Sequence, residues 1–314
     1  MNRRTAVHKL MTAGAGSFFS GWLAGAPPAD ETEIYALRSD VILVLLDVSV
    51  KNNQGRFVPG LTQDNFRVLE DGKPQKIGVF DSEDRPVTLG ILLDESLSMT
   101  PKRRDVLTAA ETLVEASNRQ DEVFVLHFND RVTLGLPQDV PFSGNFQELR
   151  DALARGTPGG KTALNDAVMA GLEHLRRGQR DKKTLVLVSD GGDTASIHSR
   201  RETLKMVQKS VATIYTIGLY DPDDPDHDPG FLRQLARMSG GEAYLPASPK
   251  SLAPLCRQIA REIRTRYTIG YTPDPRSGTN SLRHVEVRAA APGHGALSVR
   301  TRSSYLYEDG QLGK

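Results

Sequence analysis

Between residues 87 and 219 the chain alternates short apolar runs with stretches of helical spacing, and that alternation constrains the fold more than any other feature. Val87–Leu93 is a near-continuous apolar run, the mark of a strand buried on both faces. Asp105–Ala116 follows with Val106, Leu107, Ala110, Leu113 and Val114 at helical spacing. The pattern then repeats. Strands are predicted at Glu122–Phe128, Thr184–Val188 and Ala212–Leu219. Helices are predicted at Phe146–Leu153, Thr162–Arg176, Arg201–Lys209, Phe231–Met238 and Leu252–Arg264. Strands interleaved with helices imply an α/β architecture: a doubly wound, mostly parallel sheet covered on both faces.

The two flanks read differently. Val41–Val50 is strand-like, and Asn65–Glu70 alternates toward Asp71-Gly72, a hairpin signal, with Gln75–Phe80 as the returning strand. Beyond Arg266, Tyr267–Tyr271, Arg283–Ala289 and Leu297–Thr301 look like strands separated by Pro, Gly and Ser. Each flank is too small to build a core alone. The expected organisation is therefore residues 36–85 and 266–308 joined in one small β-sandwich formed from both chain ends, enclosing a central domain at 86–265.

Residues 1–29 are expected to lie outside the fold. Arg3, Arg4, His8 and Lys9 precede an apolar stretch from Leu10 to Ala26, and Ala24-Gly25-Ala26 supplies a small-x-small cleavage pattern. The arginine pair resembles a twin-arginine export signal, while Pro27 argues against cleavage directly after Ala26. The Gly- and Ala-rich stretch is weak for a permanent span. An exported protein, periplasmic, cell-surface or secreted, with no stable membrane span after signal removal, is the expectation.

Forty basic residues against thirty-nine acidic ones leave a net charge of +1, which speaks against a nucleic-acid binder. The single cysteine, Cys256, excludes an internal disulfide and any Cys-rich zinc site; its apolar helical setting assigns it to packing.

Ligands of open α/β sheets bind beyond the carboxyl ends of the strands. Three elements carry oxygen there: Asp94-Glu95-Ser96-Leu97-Ser98 after the first buried strand, Thr162 in the glycine-rich Gly159-Gly160-Lys161-Thr162 loop, and Asp190 in Ser189-Asp190-Gly191-Gly192. An extended exit would turn Asp94, Ser96 and Ser98 to one side, leaving Glu95 and Leu97 as ordinary neighbours. Two carboxylates and three hydroxyls suit a hard cation, Mg²⁺ or Mn²⁺, better than zinc. Helix capping alone would explain Asp94 and the serines, but not their recurrence with Thr162 and Asp190. The Gly-rich loop lacks the first glycine of a phosphate-binding loop, because Arg155 stands there.

The decoys are ordinary. The acidic run Asp221–Pro229 lacks the glycine and glutamate of a calcium loop, His127 reads as a packed, satisfied histidine, and the basic run Arg176–Lys183 as a solvated helix end. No histidine is expected near any of the three elements, and no nucleophile, base and orienter occur together.

The D-x-S-x-S set Asp94, Ser96, Ser98, with the later Thr162 and Asp190, resembles the metal-ion-dependent adhesion site of the von Willebrand factor A (VWFA) domain. That resemblance implies a Rossmann-like fold over about residues 86–265. It also implies metal ligation by the two serines directly, with the threonine and aspartates ligating directly or through water. The segments Gly60–Phe66, Glu70–Ile77, Arg266–Pro273 and Val299–Tyr305 resemble the flanks of the VWFA-related proteins of Acidobacteria. The resemblance implies a non-enzymatic adhesion or scaffold module whose partner is a protein offering Asp or Glu to the metal. The alternatives are a metal-dependent hydrolase and a structural metal site without ligand exchange.

Overall fold

A computed structural model describes residues 43–220, 226–274 and 281–307; the expected signal peptide and residues 221–225 of the acidic run lie outside them. In chain order, β1 (Val44–Lys51), β2 (Phe66–Glu70), β3 (Lys73–Gln75) and β4 (Ile77–Asp81) precede the central elements β5 (Val87–Asp94), α1 (Arg103–Glu115), β6 (Glu122–Phe128), β7 (Val132–Leu134), α2 (Phe146–Ala154), α3 (Leu164–Arg176), β8 (Lys182–Ser189), α4 (Arg200–Lys209), β9 (Thr213–Gly218), α5 (Pro229–Ser239), β10 (Ala243–Tyr244) and α6 (Leu252–Arg264). The chain closes with β11 (Tyr267–Tyr271), β12 (Ser281–Ala289), β13 (Ser298–Arg300) and β14 (Ser304–Tyr307).

The central sheet runs β10-β9-β8-β5-β6-β7, parallel except where β7 returns antiparallel on β6. Every residue of β5 is buried, as a central parallel strand requires. A side chain on Gly90 would overlap the Phe124 ring and Leu185, so the strand needs glycine at its middle. Helix α1 buries Val106, Ala109, Ala110, Leu113 and Val114, one stripe of a 3.6-residue period. Val106, Ala109, Ala110 and Leu113, together with Cys256 of α6, face Ile91, Val186 and Ile217. Gly171 of α3 meets Leu92 and Leu185, the other face of the sheet. The doubly wound expectation is met, and Cys256 is a buried core residue.

The chain ends interleave. One antiparallel sheet runs β13-β1-β11-β4 and another β14-β12-β2-β3, with pairs such as Leu46 opposite Ile269 and Val68 opposite Val287. Both sheets contribute to a second apolar cluster, including Leu46, Val48, Phe66, Ile269, Tyr271 and Val287, so they pack as a sandwich. The hairpin expectation needs correction. Asp71 and Gly72 do take positive φ, 48° and 78°, as a type I′ turn demands. The strand that returns beside β2, however, is only Lys73–Gln75; Ile77–Asp81 crosses to the other sheet and pairs with β11. Ile77 and Phe80 join the sandwich core from that side, and that burial outweighs a longer hairpin.

Candidate metal centre

Asp94 closes β5 and is buried. Its Oδ2 accepts from the Ser189 hydroxyl at 2.6 Å and its Oδ1 from the Ser96 backbone N–H at 2.9 Å. Ser96 is extended and opens a short 3₁₀ helix, Leu97–Lys102, that contains Ser98. The chain therefore does not stay extended through Ser98, as the spacing suggested. A tight turn gathers the hydroxyls instead: Ser96 Oγ lies 3.1 Å from Ser98 Oγ, and Ser98 Oγ donates to Asp190 Oδ2 at 2.5 Å. Asp190, also buried, accepts the Gly192 N–H at its Oδ1, 3.1 Å away. Gly191 has a φ of 89°, and a Cβ there would overlap the Asp228 carbonyl, so this turn requires glycine.

Four of the five candidates, Asp94, Ser96, Ser98 and Asp190, thus share one hydrogen-bonded network. Thr162, also buried, does not join that network; its N–H donates to Thr194 Oγ1 at 3.1 Å and its carbonyl accepts from Thr194 and Ala195. Its loop is tied to the first element by Leu97 N–H on the Gly160 carbonyl and Gly159 N–H on the Glu95 carbonyl. Lys161 is exposed, and its backbone N–H donates to Asp130.

The electrostatics favour a cation. Burial pushes the Asp94 carboxyl up to about 6, against the hydrogen bonds from Ser189 and Ser96 and with the neighbouring Asp190 charge adding to the rise. Among the described residues neither Asp94 nor Asp190 has an ion-pair partner, so no basic side chain offsets the field of Asp190 at Asp94. No three His, Cys, Asp or Glu side chains gather as a metal site among the described residues. What the site offers is two carboxylates and hydroxyls, an oxygen-only donor set that fits a hard divalent ion.

Glu95, expected as an ordinary neighbour, is buried and central to the loop's support. It accepts from Arg103 Nε at 2.7 Å and lies 3.1 Å from His127 Nδ1. Burial alone would raise its carboxyl, but the bonds from His127 and Arg103 hold it below the usual range. Arg103 also donates to the Gly156 carbonyl, joining this loop to the one that carries Thr162. His127 is satisfied as expected, its Nε2 lying 2.8 Å from the Ala152 carbonyl. The expectation of no histidine near the elements is corrected: His127 reaches Glu95, and His198 Nδ1 lies 2.7 Å from Asp166. Asp193 was not foreseen either; it caps α3 by accepting the Leu164 N–H at 3.0 Å. The basic run is less solvated than expected, since Lys182 is buried on the Arg266 carbonyl and Lys183 donates to the carbonyls of Leu175 and Gly178. Asp228, at the described end of the acidic run, caps α5 and pairs with Arg200.

Residues 89–192 match the family of the von Willebrand factor type A domain. The solved structure of a von Willebrand factor type A protein from Catenulispora acidiphila is 13% identical; the match covers 87% of this chain and 76% of that one at a TM-score of 0.50. Proximal thread matrix protein 1 from the mussel byssus, solved with a zinc-occupied MIDAS motif, is 18% identical over 57% of this chain, at a TM-score of 0.48. This chain spans about half of that protein, 48% of its length. The von Willebrand factor domain of the type V pili tip protein Mfa5 from Porphyromonas gingivalis is 13% identical, covering 57% of this chain and 95% of that one at a TM-score of 0.48. No curated protein matches. The six-stranded sheet and its helices have the fold of a von Willebrand factor type A domain, carried with a β-sandwich built from segments on both sides of it.

Proposed function

We propose that this chain is an exported, non-enzymatic binding module that holds one divalent cation, Mg²⁺ or Mn²⁺, at Asp94, Ser96, Ser98, Thr162 and Asp190, and through it captures an Asp or Glu side chain of a partner protein. One observation carries the reading: Asp94 and Asp190, both buried and both without an ion-pair partner among the described residues, are linked at the carboxyl edge of the sheet through Ser96, whose N–H donates to Asp94, and through the Ser96 and Ser98 hydroxyls, the second of which donates to Asp190. A bound cation would supply an attractive, incompletely neutralised charge for an incoming carboxylate. The protein's part is to preorganise. Ser189 and the Ser96 N–H aim Asp94, the Gly192 N–H aims Asp190, and Thr194 fixes the backbone of Thr162. Export rests on the charge and apolar pattern of residues 1–29. Among the described residues no helix is long and apolar enough to cross a membrane.

A hydrolase would need a free base on the reacting water. His127, the ring nearest the first element, has both nitrogens bonded, which favours the binding reading.

Calorimetric titration of the full chain tests the site. Mg²⁺ or Mn²⁺ is expected to bind once, with Zn²⁺ as comparator. Asp94→Ala or Asp190→Ala should abolish binding, and Ser96→Ala should weaken it roughly tenfold, about 1.4 kcal/mol. Equal binding by wild type and Asp94→Ala overturns the assignment. Ester or phosphate turnover that vanishes in Asp94→Ala would establish the hydrolase.

A further inference from the structure

Helix α3 begins without a cap of its own. Ala163 precedes it and offers no side-chain acceptor to the free N–H groups of the first turn. The acceptors come instead from the loop after β8. The Leu164 N–H donates to Asp193 Oδ1 at 3.0 Å and the Asp166 N–H to Ser196 Oγ at 3.1 Å. The Ser196 hydroxyl donates in turn to Asp193 Oδ1 at 2.6 Å.

The bonding is reciprocal. Asp166, in the first turn of α3, accepts the Ile197 N–H at Oδ2 and the His198 N–H at Oδ1, both at 2.9 Å. Its Oδ1 also lies 2.7 Å from His198 Nδ1. Each segment thus lends one carboxylate to the backbone of the other. Buried Asn165 donates its amide to Asp193 Oδ2, while its own Oδ1 has no hydrogen-bond partner among the described residues. The Thr194 and Ala195 N–H groups, on the Thr162 carbonyl at 2.8 and 3.0 Å, extend the row to a candidate ligand.

The clasp joins the two arms of the candidate centre. One arm carries Thr162 just before α3, and the other carries Asp190 just before Asp193. Thr162 lies outside the hydrogen-bonded network of the other four candidates, so that network does not set its distance from Asp190. A Ser or Asp at position 163 could cap α3 without touching the loop after β8. A cap supplied by that loop fixes the helix start and the loop to each other.

We infer that Asp193 and Asp166 are positioning residues of the cation site: by exchanging carboxylates between α3 and the loop after β8, they hold Thr162 where its hydroxyl meets the ion bound by Asp94 and Asp190. This inference rests on the proposed cation site. Neither residue is a ligand, because N–H and hydroxyl donors already occupy both carboxylates. Partners that orient ligands in this way change metal affinity by about 10–100-fold. A clasp that served only stability would leave the affinity of the folded protein unchanged.

The test is a double-mutant cycle read by calorimetric Mg²⁺ titration of the full chain, with urea unfolding in EDTA to show that each variant is folded. Asp193→Ala and Asp166→Ala should each weaken Mg²⁺ binding by about tenfold or more. In a Thr162→Ala background the same substitutions should cost less than about twofold, because the hydroxyl they position is gone. Asp193→Asn keeps an acceptor for the Leu164 N–H, and the Asn165 amide can turn its Oδ1 to the new amide. It should therefore recover most of the affinity lost in Asp193→Ala. If Asp193→Ala does not fold, Ser196→Ala carries the same cycle and should weaken binding only where Thr162 is present. Affinity equal to wild type in both alanine variants overturns the inference and leaves the cation site standing. Equal losses with and without the Thr162 hydroxyl overturn it too. If wild type and Asp94→Ala titrate alike, the cation site falls and this inference falls with it.

Discussion

Asp94 and Glu95 are adjacent, equally buried and differently employed. Asp94 meets only hydroxyls, a backbone N–H and the field of Asp190, which leaves its charge available to a cation. Glu95 is neutralised by Arg103 and bonded to His127, so its charge is spent inside the fold. The difference was illegible in the sequence because alternation predicts direction only while the strand lasts. β5 ends at Asp94, and the partners of Glu95 sit 8 and 32 residues away. Its role is therefore support. Glu95→Gln weakens the bond from half-buried Arg103 to a buried carboxylate and should cost about 1–3 kcal/mol in urea unfolding. Its penalty should persist in EDTA, whereas Asp190→Ala should cost little there. Equal penalties would place both residues in the same role.

At the scale of elements, glycine positions separate backbone strain from crowding. Gly72, in the turn after β2, and Gly240, after α5, have similar φ of 78° and 84°. A Cβ at Gly72 meets nothing within 4 Å, while one at Gly240 would overlap the backbone of Thr301 and Arg302. Gly72→Ala should therefore cost only the left-handed strain, about 1–2 kcal/mol. Gly240→Ala should cost clearly more in urea unfolding, because the added methyl also separates the helix end from the C-terminal chain. A reversed ranking would mean that the turn, not the contact, governs stability. The Asp71-Gly72 turn could be read from two residues. The short β3 and the crossing of β4 could not, since Gln75–Phe80 alternates equally well beside either sheet.

At the scale of the molecule, two apolar cores meet across a charged seam. Buried Arg266, just after α6, donates to Tyr215 of the central sheet, to the Asp47 carbonyl of β1 and to the Gly240 carbonyl, at 3.0, 2.8 and 2.8 Å. Lys51 of β1 pairs with Glu242 at 2.5 Å and with buried Glu262 of α6 at 3.1 Å. Such pairs contribute direction more than stability, but stranding one partner is costly. Arg266→Met should cost about 3–5 kcal/mol and split one calorimetric transition into two. Adding Glu262→Gln should recover part of the loss. A single transition at an unchanged Tm would show that the seam does not couple the sandwich to the type A domain.

The sequence by itself determined what depends on neighbours along the chain. The apolar runs within β5 and β8, the stripe of α1, the Asp71-Gly72 turn and the Asp94, Ser96, Ser98 spacing are local patterns, set by dihedral period and burial. The tertiary structure alone decided which distant pieces meet: β1 between β11 and β13, Glu95 on His127, Asp193 on the start of α3, and Asp166 on the loop after β8. Those choices follow from packing two cores at once and pairing most buried polar groups, conditions that no short window of residues contains.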